Sequence, residues 1–219
     1  GEFQKAEVFI QKVIELDPNF SMAHFNLGNI RKDLGKTKES LNSFIKVIEI
    51  NPQYVYTYNA ITELLKYADP SQFETTKLKK ILNLLLDKND VNHRELFRAF
   101  NFLYKKDLIN SLEQSENIFS KIKFITHNKA IMNAVEKIIF CDPELEKVLE
   151  SFRRNICYRV AEKTNDLNEN ELDFLIALGK QCFLNEYIYF TGKEEIICIN
   201  KIIERFKKEE INKLNITLI

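Results

Sequence analysis

An all-α fold is predicted by three features of this 219-residue sequence. Apolar residues recur at helical spacing in segment after segment. Gly and Pro number only five and four, which leaves little material for hairpins or a many-stranded sheet. One short phrase (acidic residue, aliphatic, Asp or Asn, Pro, polar, aromatic) also occurs twice, as "ELDPNF" ending at Phe20 and "EINPQY" ending at Tyr54. Pro18 and Pro52 thus mark a period of about 34 residues, the length of a two-helix unit, and the chain reads as a helical repeat.

One unit runs from Ser21 to Tyr54, "SMAHFNLGNIRKDLGKTKESLNSFIKVIEINPQY". Its first half carries Phe25, Leu27, Ile30 and Leu34 at helical spacing. Gly35 breaks that helix, and Leu41, Phe44, Ile45, Val47 and Ile48 build a second apolar face. Pro52 cannot continue the second helix and marks its stop. The stretch before Ser21 fits the second helix of an earlier unit, with Ala6, Ile10, Val13 and Pro18 in register. The first helix of that earlier unit is missing, which predicts that the sequence begins inside a longer protein. After Tyr54, "VYTYNAITELLKYA" reads as the first helix of a third unit, degenerating beyond Ala68.

His24, Leu27, Gly28, Ser40, Phe44 and Pro52 stand where the tetratricopeptide repeat places its large, Leu, Gly, small, aromatic and Pro residues. Residues 3–68 therefore resemble that family. Gly28 and Ser40 let the paired helices approach closely where they cross. His24 replaces the family's usual tryptophan, and Arg31 its usual tyrosine. The resemblance implies a helical-hairpin solenoid over residues 1–68, with its first repeat truncated, acting as a scaffold for other proteins.

Beyond Asp69 the period is lost while the helical patterning continues, so residues 69–219 are expected to form an irregular α-helical module, with a seam near 105–125. Asp69-Pro70-Ser71-Gln72 reads as a helix start, followed by "KLKKILNLLL" and by "VNHRELFRAFNFLYKK". Thr126 is the expected cap of "HNKAIMNAVEKIIF", and Asp142-Pro143 opens "PELEKVLESFRRNICYRVAEK". "DPELEKVLESFRRNIC" and "FLIALGKQCFLNEYIY" resemble segments between tetratricopeptide repeats and a class I S-adenosylmethionine-dependent methyltransferase domain in some bacterial proteins. That resemblance implies an alternative, in which residues 69–219 are the helical substrate-recognition region of a methyltransferase whose catalytic domain follows residue 219.

Lys plus Arg equals Asp plus Glu at 32 each, so no net field draws the chain to nucleic acid or an anionic membrane. No apolar run approaches the ~20 residues of a membrane span, and the chain is expected to be soluble and cytoplasmic. Cys141, Cys157, Cys182 and Cys198 lack the spacing of a zinc or redox site and read as small apolar core residues. After the repeat region only Gly179 and Gly192 remain, neither in a Gly-rich turn after a strand, so no dinucleotide, S-adenosylmethionine or phosphate site is expected. The expectation is a chain that is not an enzyme, with no cofactor and no metal. His24, His93 and His127 read as structural or surface residues, and Asp142, Glu144 and Glu146 as carboxylates suited to a helix N-terminus.

What remains as a functional surface is the inner face implied by the repeat, built from the first helix of each unit. Its candidates are Met22, Phe25, Asn26, Asn29, Lys32 and Asp33, with Tyr56, Asn59, Glu63 and Lys66 from the next unit. Asn26, before the Leu-Gly pair, can donate and accept to a peptide backbone at once, or serve only inter-helix bonding; Ala60 occupies its place in the next unit. A cationic clamp for a C-terminal carboxylate is not evident. Asn185 and Glu186, polar in a very apolar stretch, read either as a docking site or as partners of a helix end, Arg153 or Arg154. The expected partner is a protein or peptide, with self-association through exposed repeat ends as a further alternative.

Overall fold

The computed structural model describes residues 1–114, 118–162, 169–184 and 191–217. The described residues form α-helices and two short 3-10 turns, and no strand occurs among them. The chain divides into two compact units, Gly1–Lys105 and Lys106–Ile219.

The first unit opens with α1 (Glu2–Leu16), α2 (Ser21–Asp33), α3 (Thr37–Ile50) and α4 (Val55–Tyr67). The two Pro-containing turns are copies in three dimensions. Asn19 N–H donates to Asp17 Oδ1 at 3.1 Å, and Gln53 N–H donates to Asn51 Oδ1 at 3.2 Å. The His24 ring donates from Nε2 to the Pro18 carbonyl at 2.9 Å, and the Tyr58 hydroxyl to the Pro52 carbonyl at 2.6 Å. His24 and Tyr58 are themselves one repeat period apart. Two chemically different side chains thus do one job: each satisfies a carbonyl freed where proline ends the preceding helix.

The hairpin of α2 and α3 turns at Gly35, whose φ of 72° lies in the left-handed region that favours glycine. Gly35 N–H donates to Lys32 O at 2.9 Å and Lys36 N–H to Arg31 O at 2.8 Å, the double closure of a Schellman turn. The helices then meet at Gly28, where a Cβ would stand 2.5 Å from the Phe44 ring. Ser40 Oγ donates to the Gly28 carbonyl at 2.7 Å across the same crossing. Phe44, Val47, Leu41, Leu27 and Ala23 are buried around it.

The next proline turn, Asp69-Pro70, departs from this plan at one residue. Asp69 stands one full period after Gly35, where a second hairpin would need a left-handed turn. Pro70 forces the residue before it toward extended backbone, and Asp69 adopts φ −73°, ψ 117°. The expected helix start is therefore only a 3-10 turn, Pro70–Gln72, with Ser71 N–H on Asp69 Oδ1 at 3.0 Å. That amide donor holds the Asp69 carboxyl below its ordinary value. Helix α5 begins later, at Thr75, and runs to Leu86. A second 3-10 turn, His93–Leu96, packs on α4 and leads into α6 (Phe97–Gln114), within which the division at Lys105 falls. Residues 105–114 thus continue one helix. Leu78, Leu82, Leu85, Leu86, Leu96 and Phe100 are fully buried here.

In the second unit, α7 (Ile118–Thr126) and α8 (Lys129–Lys137) pack with α10 (Glu169–Leu184), while α9 (Pro143–Ala161) packs with α11 (Lys193–Thr217). The cap of α8 is Asn128, accepting from Ile131 N–H at 3.2 Å, and not Thr126, whose hydroxyl donates to Lys123 O at 3.2 Å. Thr126 ends α7 and is two residues too early to reach the next helix's free amides. Asp142 caps α9 as expected, accepting from Leu145 N–H at 3.1 Å. Phe152 and Phe174 join α9 to α10, ring centroids 5.5 Å apart.

Candidate functional site

The inner-face residues occupy two neighbouring helices of the first unit, α2 and α4. On α2 the stripe Met22, Asn26, Asn29, Asp33 follows one face at helical spacing. Met22, Asn26 and Asp33 are exposed and Asn29 is half-buried. On α4, Tyr56, Asn59, Glu63 and Lys66 are all exposed. The two stripes are tied together by Lys32, whose Nζ donates to Glu63 Oε2 at 2.8 Å. One repeat further on, Lys66 donates to Glu95 Oε1 at 3.0 Å. Glu95 raises the affinity of Lys66 for its proton, with Tyr67 adding to it.

Phe25 is only half-buried, yet it serves packing more than reception. Its ring lies 5.8 Å from Phe44 and edge-on to Tyr54 at 5.2 Å. Tyr54 in turn donates to the Met22 sulfur at 3.6 Å and lies 5.6 Å from the Tyr56 ring. Tyr54 and Glu95 touch the candidate residues, and sequence reasoning missed both. Tyr54 could have been found from its place: it closes the repeated phrase, so it sits where α4 begins beside α2. Glu95 carries no such signal, because its contact with Lys66 depends on the departure at Asp69. Asn185 and Glu186 lie outside the described residues.

The remaining expectations resolve into structure. His93 donates from Nε2 to Lys88 O at 2.8 Å and His127 from Nδ1 to Lys123 O at 2.8 Å, so each histidine of the chain serves a backbone carbonyl. Arg153 and Arg154 converge on the fully buried Glu195, with Arg154 Nε 3.5 Å from its Oε2. Three cysteines correct the core reading: Cys141 is exposed and Cys157 and Cys198 are half-buried, because they fall on helix flanks and a loop rather than on the apolar seams, while the Cys182 side chain lies outside those described. Burial pushes the Cys157 thiol up, with Glu195 adding to it, which keeps the sulfur protonated and a poor nucleophile. Among the described residues no group of His, Cys, Asp or Glu is placed to hold a metal ion, and no helix is long and apolar enough to cross a membrane.

A family model described as tetratricopeptide repeat matches residues 9–42. That window is one period long, the interval that separates Pro18 from Pro52, taken in a different phase. The chain is also similar to the class 3 fructose-1,6-bisphosphatase of Staphylococcus saprophyticus, 29% identical over 130 residues, a match covering 53% of this chain and 19% of that protein. The chain thus spans about a fifth of the length of the curated relative it matches. No solved structure matches. The small-residue crossing at Gly28, the duplicated Pro turns and the family match agree, and residues 9–42 are a tetratricopeptide repeat, a module of protein-interaction scaffolds.

Proposed function

We propose that this chain binds a protein segment in extended form along the face shared by α2 and α4, with no chemistry of its own. The observation that supports it is the row of exposed amides, Asn26 and Asn59, set beside half-buried Asn29 on two helices that Lys32 and Glu63 hold in register. Amide side chains pair with both the N–H and the C=O of an extended backbone, and do so without regard to its sequence. Helices whose buried faces are already packed can present such groups without cost to the fold. The test is a peptide selected by display against the whole chain, titrated into the wild type and into Asn26→Ala with Asn29→Ala. Weaker binding at an unchanged thermal midpoint supports the groove; unchanged affinity sinks it.

A second reading, self-association, has its own observation. On α1, Phe3, Val8 and Phe9 are more than half exposed at 53%, 54% and 67%, and Leu16 is 88% exposed. One repeat later, the matching positions of α3 hold Thr37, Asn42, Ser43 and Ile50, three of them polar. Light scattering decides it, since a strict monomer across a wide concentration range removes this reading.

A further inference from the structure

The α2–α4 face sorts into two chemically distinct zones, and this inference rests on the groove reading above. At the start of both helices lies an apolar rim. Tyr56 is 70% exposed and Met22 41%, and Tyr54 bridges them, touching the Met22 sulfur at 3.6 Å and the Tyr56 ring at 5.6 Å. Val55 and Phe20 are 42% and 45% exposed beside these positions in the chain. Toward the helix ends the zone is charged. Both of its lysines already hold a carboxylate, Lys32 on Glu63 and Lys66 on Glu95, and Asp33 adds a further exposed acid. Each lysine is thus matched by one carboxylate with Asp33 over, and the exposed Arg98 lies beyond them at the end of α4, donating to Tyr67 O at 3.1 Å.

We infer that the bound segment is a peptide anchored by one aromatic or long aliphatic side chain on Met22, Tyr54 and Tyr56, and free of net negative charge. A carboxylate partner would have to displace Glu63 or Glu95 from its lysine and would meet Asp33 as a like charge. An apolar anchor gains what tyrosine and methionine offer, large contact area with few torsions to freeze. A basic residue is also accommodated, over the exposed face of Tyr56 or beside Asp33. From Met22 to Asp33 is eleven residues of helix, about 16 Å at 1.5 Å each. That span is about five residues of extended chain. A basic residue about five positions from the anchor therefore reaches Asp33.

The experiment is a display selection on the whole chain, with the selected peptides measured by calorimetry. Expected are sequences with a Phe, Tyr, Trp, Leu or Met anchor and neutral or basic flanks. The double change Met22→Ala with Tyr56→Ala, both exposed and so harmless to folding by far-UV circular dichroism, should raise Kd by about tenfold or more. Acid-rich selected peptides, or binding that survives the double change, overturn this inference while the groove reading stands if Asn26→Ala with Asn29→Ala still weakens them. Failure to select any peptide sensitive to either pair of changes overturns both.

Discussion

Arg31 donates from Nε to Glu7 Oε1 at 3.1 Å, so the side chain that replaces the repeat's usual tyrosine bridges α2 to α1 by charge. The Schellman turn completes the contact. It brings Lys36 beside Arg31, and Lys36 Nζ reaches the other oxygen of Glu7 at 2.6 Å. These two positions commonly share a hydrophobic contact in such turns; here both are cations sharing one carboxylate.

The hydrogen bond from Lys36, opposed by burial and supported by Arg31, holds the Glu7 carboxyl below its ordinary value. A group whose folded pKa is depressed contributes stability that is present above its unfolded value, about 4.3 for glutamate, and is lost as pH falls through the lower folded value. Urea unfolding should therefore show Glu7→Gln less stable than wild type by about 1–2 kcal/mol at pH 7. The gap should narrow steadily below about pH 4. A gap that is constant with pH would mean that Glu7 acts by shape alone.

Two glycines in helices should respond to alanine with opposite signs. At Gly28 the new methyl would meet the Phe44 ring at 2.5 Å, and neither the ring nor α2 can withdraw without opening the hairpin crossing. The expected loss is about 1–3 kcal/mol. At Gly179, in the interior of α10, nothing lies within 4 Å of the added atom. There alanine should add about 0.5–1 kcal/mol through helix propensity. Thermal unfolding of the two single variants checks both signs at once.

The copied Pro turns supply a third test. Tyr58→Phe keeps the buried ring and removes only the donor to Pro52 O, at 2.6 Å. The expected cost is about 1 kcal/mol, the net worth of one such bond. His24→Phe should cost a similar amount, because His24 serves Pro18 in the same way. A null effect at Tyr58 would show that the carbonyl is equally well served by water.

Much of this was legible in the chain because repeats write local chemistry twice. The punctuation at Pro18 and Pro52 gave the period, and the helices over "KLKKILNLLL" and "PELEKVLESFRRNIC" follow from apolar spacing and, for the second, from its Asp142 cap. In that segment the buried residues are Leu145, Leu149, Phe152 and Ile156, at the spacing of one helix face. What was not legible depends on contacts between distant residues. The neighbour of α4 is the turn His93–Leu96 because one proline, Pro70, denies Asp69 the conformation that Gly35 adopts. Lys32 with Glu63 and Lys66 with Glu95 span 31 and 29 residues, beyond any periodic signal. Glu195 stands beside Glu194 in the first turn of α11, and only the packing of α11 on α9 reveals it as fully buried.

That buried carboxylate yields the sharpest expectation for the second unit. Glu195 is 0% exposed and faces Arg153 and Arg154, themselves held half-buried on α9. Removing one member of a buried pair strands the others, so Glu195→Ala should cost about 3–5 kcal/mol. Replacing a pair by apolar residues of similar size removes the desolvation cost along with the attraction. Arg153→Met with Glu195→Met should thus recover most of the loss, short of what Arg154 gives up. Hydrogen exchange along α9 and α11 reads this directly: faster in the single variant and near wild type in the double. If the double variant exchanges as fast as the single, the cluster contributes through specific geometry that apolar packing cannot replace.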